Sequence, residues 1–327
     1  MDWNHQRVLV TGAGGFIGSH LTEKLVTLGA RTRAFVHYRS SGAWGWLDRS
    51  PLKQDIEVVA GDICDAGTVA AALRGTDIVF HLAALIAIPY SYAAASSYVR
   101  TNVEGTLTLL QAASNGGVAR LVHTSTSEVY GTAQTPRIGE GHRLQAQSPY
   151  SATKIGADML AEAFHRSYGL PVVTARPFNA YGPRHSTRAV VPTIITQALA
   201  GDVIRLGHTA PTRDFTFVAD TVDGLVALAE SDAAIGRTVN LGSGGEIAVA
   251  DLARTVLSIL GRDLPVEIDP ERARPAGSEV DRLCADVGLA QSLLGWRARH
   301  SLRDGLARTI DWYAANLELF RPAVYGI

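Results

Sequence analysis

Cysteine is nearly missing from this chain: there are two in 327 residues, Cys64 and Cys284, far apart and in no CxxC pair. They suggest a reducing compartment, with both thiols as small buried hydrophobes, and no metal site is expected. An excess of charge of either sign is also missing. Lys plus Arg is 30 and Asp plus Glu is 31, a net charge of −1, so there is no basic footprint for nucleic acid or an anionic membrane. Long apolar runs are absent. The longest, around Phe80 to Pro89, is about ten residues, and a bilayer needs roughly 20. The first seven residues lead straight into Val8-Leu9-Val10 with no apolar h-region, so no secretory signal is expected. Internal repeats and low-complexity tracts are lacking too. These absences leave a cytoplasmic enzyme as the expectation.

The chain does have the composition to fold. Apolar residues are 46% and charged residues 19%, ordinary values for a globular protein. At roughly 150 residues per domain the length predicts two domains, or one with an added lobe. Short β-branched runs alternate with helical patterns. Strands are expected at Arg7–Val10, Thr32–Val36, Ile56–Ala60, Ile78–Leu82, Leu121–Ser125 and Val172–Ala175. Helices are expected at Ile17–Leu28, Ala66–Leu73, Ala95–Asn115 and Ser151–Tyr168. Such alternation gives right-handed βαβ units with helices on both faces of a parallel sheet. The fold class is therefore α/β, a Rossmann-type doubly wound parallel sheet. Residues 1–177 form the dinucleotide-binding domain in this reading. After Pro177 the pattern loosens, and residues 178–327 read as a smaller α+β substrate lobe that interleaves with the first. Within it, Asp269–Glu279 is rich in Pro and Arg, either a linker or a loop that touches an anionic ligand.

Thr11-Gly12-Ala13-Gly14-Gly15-Phe16-Ile17-Gly18 follows the first strand and opens a helix. Glycines let the backbone turn tightly and approach a pyrophosphate at a helix N-terminus. The spacing is GxxGxxG. After the second strand an Asp or Glu would bind an adenosine ribose 2′-hydroxyl. None follows Val36. Arg39, flanked by Tyr38 and Ser40, suits a 2′-phosphate instead, so NADP is favoured over NAD, either one bound tightly and recycled. Asp62, after the third strand, could accept from an adenine amino group or cap a helix.

Tyr150 and Lys154 stand four apart at the start of a helix, on one face. A Lys cation beside a phenol is expected to lower its pKa and let Tyr150 act as a base. Upstream, Ser125-Thr126-Ser127-Glu128 follows a strand at the sheet's C-terminal edge, where ligands bind in such folds. There Thr126 can share a substrate oxygen with Tyr150, and Glu128 can reach the same cleft.

TGAGGFIG, HLAA at His81–Ala84, TSTSEVYG, YSATK and RPFNAYGPR resemble the extended short-chain dehydrogenase/reductase superfamily over nearly the whole chain. The Thr126-Ser127-Glu128 triplet is similar to that of NAD(P)-dependent nucleotide-sugar 4,6-dehydratases. HLAALIAIPYSY, SPYSATKIGAD, PTRDFTFVADT and RPAGSEVDRL are similar to the GDP-N-acetylglucosamine 4,6-dehydratases. The resemblance implies conversion of a nucleotide-linked hexose, such as GDP-N-acetylglucosamine, to its 4-keto-6-deoxy form. A C4 epimerase, a UDP-glucuronate-type decarboxylase and a catalytically silent nucleotide sensor are the alternatives. It implies catalysis by Thr126, Ser127, Glu128, Tyr150 and Lys154. It implies cofactor contacts at Gly12, Gly15, Phe16, Ile17 and Gly18, at Arg39, Asp62 and Ile63, at Leu82, Ala83 and Ala84, and at Tyr150, Lys154 and Pro177. Asn179, Arg213 and Arg274 would hold the substrate diphosphate, and Arg188 and Val190 would meet the base. Many dehydratases carry Asp where Ser127 stands, which leaves the acid for the leaving hydroxyl to Glu128 or a water on Ser127. The two long helices resemble the pair that builds a homodimer interface.

Overall fold

Seven short strands make the frame. They are β1 (Arg7–Thr11), β2 (Arg31–His37), β3 (Glu57–Gly61), β4 (Ile78–His81), β5 (Arg120–Thr124), β6 (Val172–Pro177) and, much later, a strand at Thr238–Leu241. Four small strands intervene: β7 (Asn179–Tyr181), β8 (Ile204–Leu206), β9 (Thr212–Arg213) and β10 (Phe215–Phe217). The strand at Thr238–Leu241 is therefore β11. In this computed structural model, which describes residues 1–320, the sheet order is β11-β6-β5-β4-β1-β2-β3. Every pairing in it is parallel. The order reverses between β1 and β4, and a crevice opens there at the strands' C-terminal ends.

Alternation along β1 sends its side chains to opposite faces. Val8 and Val10 enter one core with Leu21 and Leu25 of α1 (Phe16–Thr27). Leu9 enters the other, with Val79, Leu121 and Leu109. The first core also takes Val222 and Leu225, Leu241 of β11 and Trp296. One hydrophobic core thus runs through both halves of the chain. A cut at 177 does not separate the sheet from the later half of the chain, because β11 pairs with β6.

Helix boundaries follow their caps. After α2 (Ala66–Leu73) come α3 (Ile88–Ala93) and α4 (Ala95–Tyr98). The long helix expected at 95–115 is interrupted: a π-helical stretch, Val99–Glu104, separates α4 from α5 (Gly105–Gly116). Bulges of this kind cluster at functional sites. Here the bulge carries Asn102, whose side chain bonds the Leu85 N–H (2.8 Å), the Leu85 carbonyl (3.0 Å) and the Thr153 hydroxyl (3.0 Å). α6 starts at Pro149, two residues before the expected Ser151, and runs to Tyr168. Ser148 and Ser151 form a reciprocal capping box, and Pro149 sits where a missing N–H costs nothing. Gly169, at φ 69°, ends the helix in the left-handed region. The Pro- and Arg-rich stretch is a loop with short 3-10 turns at Pro270–Arg272 and Ala276–Ser278. No helix among the described residues is long and apolar enough to cross a membrane.

Candidate active site

A cavity of about 1040 Å³ opens at the C-terminal edge of the sheet. All of the cofactor, catalytic and substrate residues singled out from the sequence line it. At its floor β1 ends in Thr11, and Gly12 takes φ +68°. A Cβ on Gly12 would stand 2.8 Å from the Ala83 nitrogen and 2.9 Å from the Leu82 carbonyl, so backbone conformation and space both require glycine. The Gly15 N–H turns back onto the Gly12 carbonyl at 3.0 Å. Gly15 then caps α1 with no side-chain bond to the first turn. A bare helix N-terminus behind a glycine turn fits a pyrophosphate. These residues therefore suit a dinucleotide.

The neighbouring loop is pinned from beneath. The Thr11 hydroxyl bonds His81 Nδ1 at 2.8 Å and accepts from the Leu82 and Ala83 N–H groups at 3.1 and 3.2 Å. His81 Nε2 meets Thr106 at 3.0 Å. Burial holds His81 well below its ordinary pKa, so it acts as a neutral hydrogen-bonding group. Asp62 lines the cavity and accepts from the Cys64 N–H at 2.9 Å. The alternative role of Asp62 as a helix cap is not realised: Asp65 caps α2, accepting from the Thr68 N–H at 2.7 Å. Arg39 is exposed along the cavity lining.

Thr126 caps the 3-10 turn Ser127–Tyr130, and its hydroxyl accepts from the Glu128 N–H at 3.2 Å. Burial raises the Tyr150 phenol, a hydrogen bond with Thr126 lowers it, and the Glu128 charge raises it again. The net direction is up. The expected lowering by Lys154 is not seen in the protein alone, because the ammonium is turned to the Thr124 carbonyl at 2.7 Å and burial of the phenol dominates. Lys154 is itself pushed down to about 8 by burial, with the Asp158 charge opposing.

Glu128 is 8% exposed. Arg274 Nη1 lies 3.7 Å from its carboxylate and 3.9 Å from that of Glu279, but is buried with no hydrogen bond. Arg213 donates to Glu279 at 3.2 Å. The two arginines expected at a diphosphate thus stand around the Glu128 carboxylate and share Glu279. Asn179 Oδ1 is likewise buried without a partner. Orphaned polar atoms of this kind, aligned along one cavity, are what a polar ligand satisfies. Ser127 lies at the same turn, 2% exposed, and Val190 begins the helix α7 (Val190–Ala200). Arg188 is exposed beside it.

Sequence reasoning missed Asp158, Glu279 and His185. Asp158 lies one turn beyond Lys154 on the same face of α6, a spacing that could have revealed it. Glu279 sits inside the quoted RPAGSEVDRL stretch. His185 carries no sequence signal: it lines the cavity with its ring stacked on Phe16, and burial pushes it down to about 4.

The GDP-mannose 4,6 dehydratase family model matches residues 9–309. The chain belongs to that family of the extended short-chain dehydrogenases/reductases. A dTDP-glucose 4,6-dehydratase of Actinoplanes is 34% identical, covering 95% of this chain and 98% of that protein. The crystal structure of DesIV, a dTDP-glucose 4,6-dehydratase from Streptomyces venezuelae solved with NAD bound, is 36% identical, covers 97% of this chain and 99% of its own, and superposes with a TM-score of 0.89. The epimerase Mth375 of Methanothermobacter thermautotrophicus is 33% identical over 97% of this chain and 94% of its own, also with a TM-score of 0.89. None of these names mentions GDP-N-acetylglucosamine.

Lys154 gives a pH signature with two opposite signs. Its folded pKa of about 8 lies below the ordinary 10.5. Between those values the unfolded chain keeps a proton that the folded chain has released, so this group's contribution to stability grows as pH rises. Over the same interval the site loses its ammonium. Activity should therefore fall with an apparent pKa near 8 while the urea midpoint of wild type, relative to Lys154→Met, rises from pH 8 to 10. Parallel loss of activity and relative stability would contradict this assignment.

Proposed function

We propose that the protein is a nucleotide-sugar 4,6-dehydratase that turns a nucleotide-linked hexose into its 4-keto-6-deoxy form. The observation that carries the reading is Glu128: a buried carboxylate two residues beyond Thr126, in the same cavity as Tyr150 and Lys154. Water elimination between C5 and C6 needs such a base, whereas C4 epimerisation needs none.

The glycine turn, Asp62, Ile63, Leu82, Ala83, Ala84 and Pro177 would hold the dinucleotide. When bound, its nicotinamide would supply a reversible hydride acceptor for the oxidation at C4 and the reduction at C6. Tyr150 takes the proton of the C4 hydroxyl, with Thr126 bonded to the same oxygen and Lys154 supplying positive charge one helical turn away. Once C4 is a ketone, the C5 proton is acidic and Glu128 removes it. The C6 hydroxyl, protonated by Glu128 or by a water on Ser127, leaves as water. C5 then takes a solvent-derived proton as C6 gains hydride, and Tyr150 gives its proton back to solvent. Asn179, Arg213 and Arg274 hold the diphosphate, with guanidinium geometry suited to phosphate oxygens. Arg188 and Val190 meet the base. The motifs favour GDP-N-acetylglucosamine as substrate. The names of the relatives favour dTDP- or UDP-glucose. A panel of GDP-, UDP-, dTDP- and CDP-sugars, scored for loss of one water by mass spectrometry, decides among them. The setting is the cytoplasm.

Two variants probe the chemistry. Tyr150→Phe should lower kcat by about 10²–10⁴, the worth of a positioned acid–base group. Glu128→Gln should still carry out the first hydride transfer, so that reduced cofactor accumulates on adding substrate while product is lost. Turnover at the wild-type rate in Glu128→Gln, or a product with no solvent deuterium at C5, would favour the epimerase reading.

The cofactor preference rests on Arg39 and the missing carboxylate after Val36. NADP should bind more tightly than NAD by about 1–3 kcal/mol, and Arg39→Ala should abolish the difference in calorimetry. NAD binding more tightly in wild type would refute it.

Assembly is read from exposed apolar groups. Met159 and Tyr168 on α6, and Val99 at the start of the π-helical stretch, are large apolar side chains 45%, 68% and 47% exposed. A homodimer through these helices would cover them. Light scattering at micromolar concentration should give twice the chain mass, and Met159→Glu should reduce it to one.

A further inference from the structure

Among the described residues, Arg184 is the one non-glycine residue with positive φ, at 70°. An L side chain is strained there, and glycine would relieve the strain. The arginine side chain reaches α1. Its Nη1 donates to Ser19 Oγ at 3.2 Å and its Nη2 to Glu23 Oε1 at 3.0 Å, with both charged groups mostly buried. On one side of it the Pro183 carbonyl meets His20 Nε2 at 3.1 Å. On the other, the His185 ring stacks on Phe16 at 4.3 Å and 11°.

The α1 partners are Phe16, Ser19, His20 and Glu23. Their spacing is i, i+3, i+4, i+7, one continuous stripe of a helix. In extended backbone, consecutive side chains point to opposite sides, so the Arg184 and His185 side chains would face apart. The left-handed turn at Arg184 lets both face α1, beside the Pro183 carbonyl on His20. The stripe belongs to the helix that opens the phosphate loop. The gripped segment runs directly into Arg188 and Val190, on the substrate side of the cavity.

We propose that Arg184, through Glu23, is a latch that fixes the 185–190 segment against α1, and that it sets the affinity for the nucleotide sugar by positioning that segment. Arg184 touches neither reacting group; it is a positioning residue. The proposal rests on the reading that this cavity takes a nucleotide sugar beside the dinucleotide.

The test uses the holoenzyme. Calorimetry with GDP, UDP and dTDP reads nucleotide binding without turnover, and steady-state kinetics reads KM and kcat separately. Arg184→Gly removes the latch and the strain together. Glu23→Gln removes the ion pair and leaves the backbone turn alone. Each should weaken binding of the preferred nucleoside diphosphate and raise KM by about tenfold, the worth of one charge-assisted contact, with kcat per holoenzyme changed less than about twofold. Arg184→Lys should retain most of the affinity. The double variant should be no weaker than the single ones, because both break one contact. A fall in melting temperature with nucleotide affinity and KM unchanged would show a merely structural role and overturn the proposal, as would losses that add in the double variant. If wild type binds a nucleoside diphosphate yet removes water from no sugar, the dehydratase reading fails while the latch is still judged by the affinities. If it binds none of the three, the latch fails as well.

Discussion

A single buried carboxylate ties the site to the sheet. Asp158, 2% exposed, accepts from Ser125 Oγ at 2.8 Å, from His123 Nε2 at 3.1 Å, and from Arg176 Nη2 and Nε at 2.9 and 3.2 Å. His123 lies near the end of β5 and Ser125 just past it, Arg176 near the end of β6, and Asp158 in α6. Arg176 also donates to the Tyr130 hydroxyl at 3.0 Å, which donates to Asn240 of β11 at 2.7 Å. The network therefore holds together the turn that carries Thr126 and Glu128, the helix that carries Tyr150 and Lys154, and the strand that comes from the later half of the chain. Burial alone would raise the Asp158 carboxyl; the His123 bond and the charges of Arg176 and Lys154 bring it below its ordinary value. Removing one partner from such a buried pair typically costs about 3–5 kcal/mol, because the other charge is stranded.

The same network sets the charge behind Tyr150. Lys154 and Arg176 are cations and Asp158 is an anion, while burial keeps His81 and His123 below their ordinary pKa and so neutral. With Tyr150 protonated, Lys154, Arg176 and Asp158 together carry an excess of one positive charge. Ionisation of the phenol is opposed by its burial and by the Glu128 charge. A phenol kept protonated, with a buried ammonium one helical turn away, suits the proposed role of Tyr150, which is to take and return a proton in one cycle.

Local rules explain what could be read in advance. The glycine turn, the Tyr150–Lys154 spacing and the first six strands follow from periodicity and backbone geometry within short windows, and all the residues named from them fall along one cavity. What escaped depends on distant partners. β11 is only four residues, Thr238–Leu241, too short for a periodic signal; its place is decided by the open edge of β6. The π-helical stretch follows from Asn102 reaching across to Leu85 and Thr153. The upward shift of Tyr150 follows from burial that the four-residue spacing cannot disclose. Asp158 was within reach of a local rule, but its importance lies in β5 and β6 meeting there.

Because β11 and a continuous core join the two halves, the cavity is not a cleft between lobes that swing independently. Selectivity then falls to the few side chains that line it. An epimerase shares this fold at a TM-score of 0.89, so the backbone does not choose between epimerisation and elimination. Both reactions need a proton acceptor for the C4 hydroxyl and a ketone at C4. They part at C5, where elimination requires a carboxylate free to take a proton. Glu128 is held at its backbone by Thr126 and faced by an arginine within ion-pair distance that forms no hydrogen bond to it. Its carboxylate faces Arg274 at 3.7 Å with no hydrogen bond from that Nη1, and the proposed elimination asks this same carboxylate to take the C5 proton.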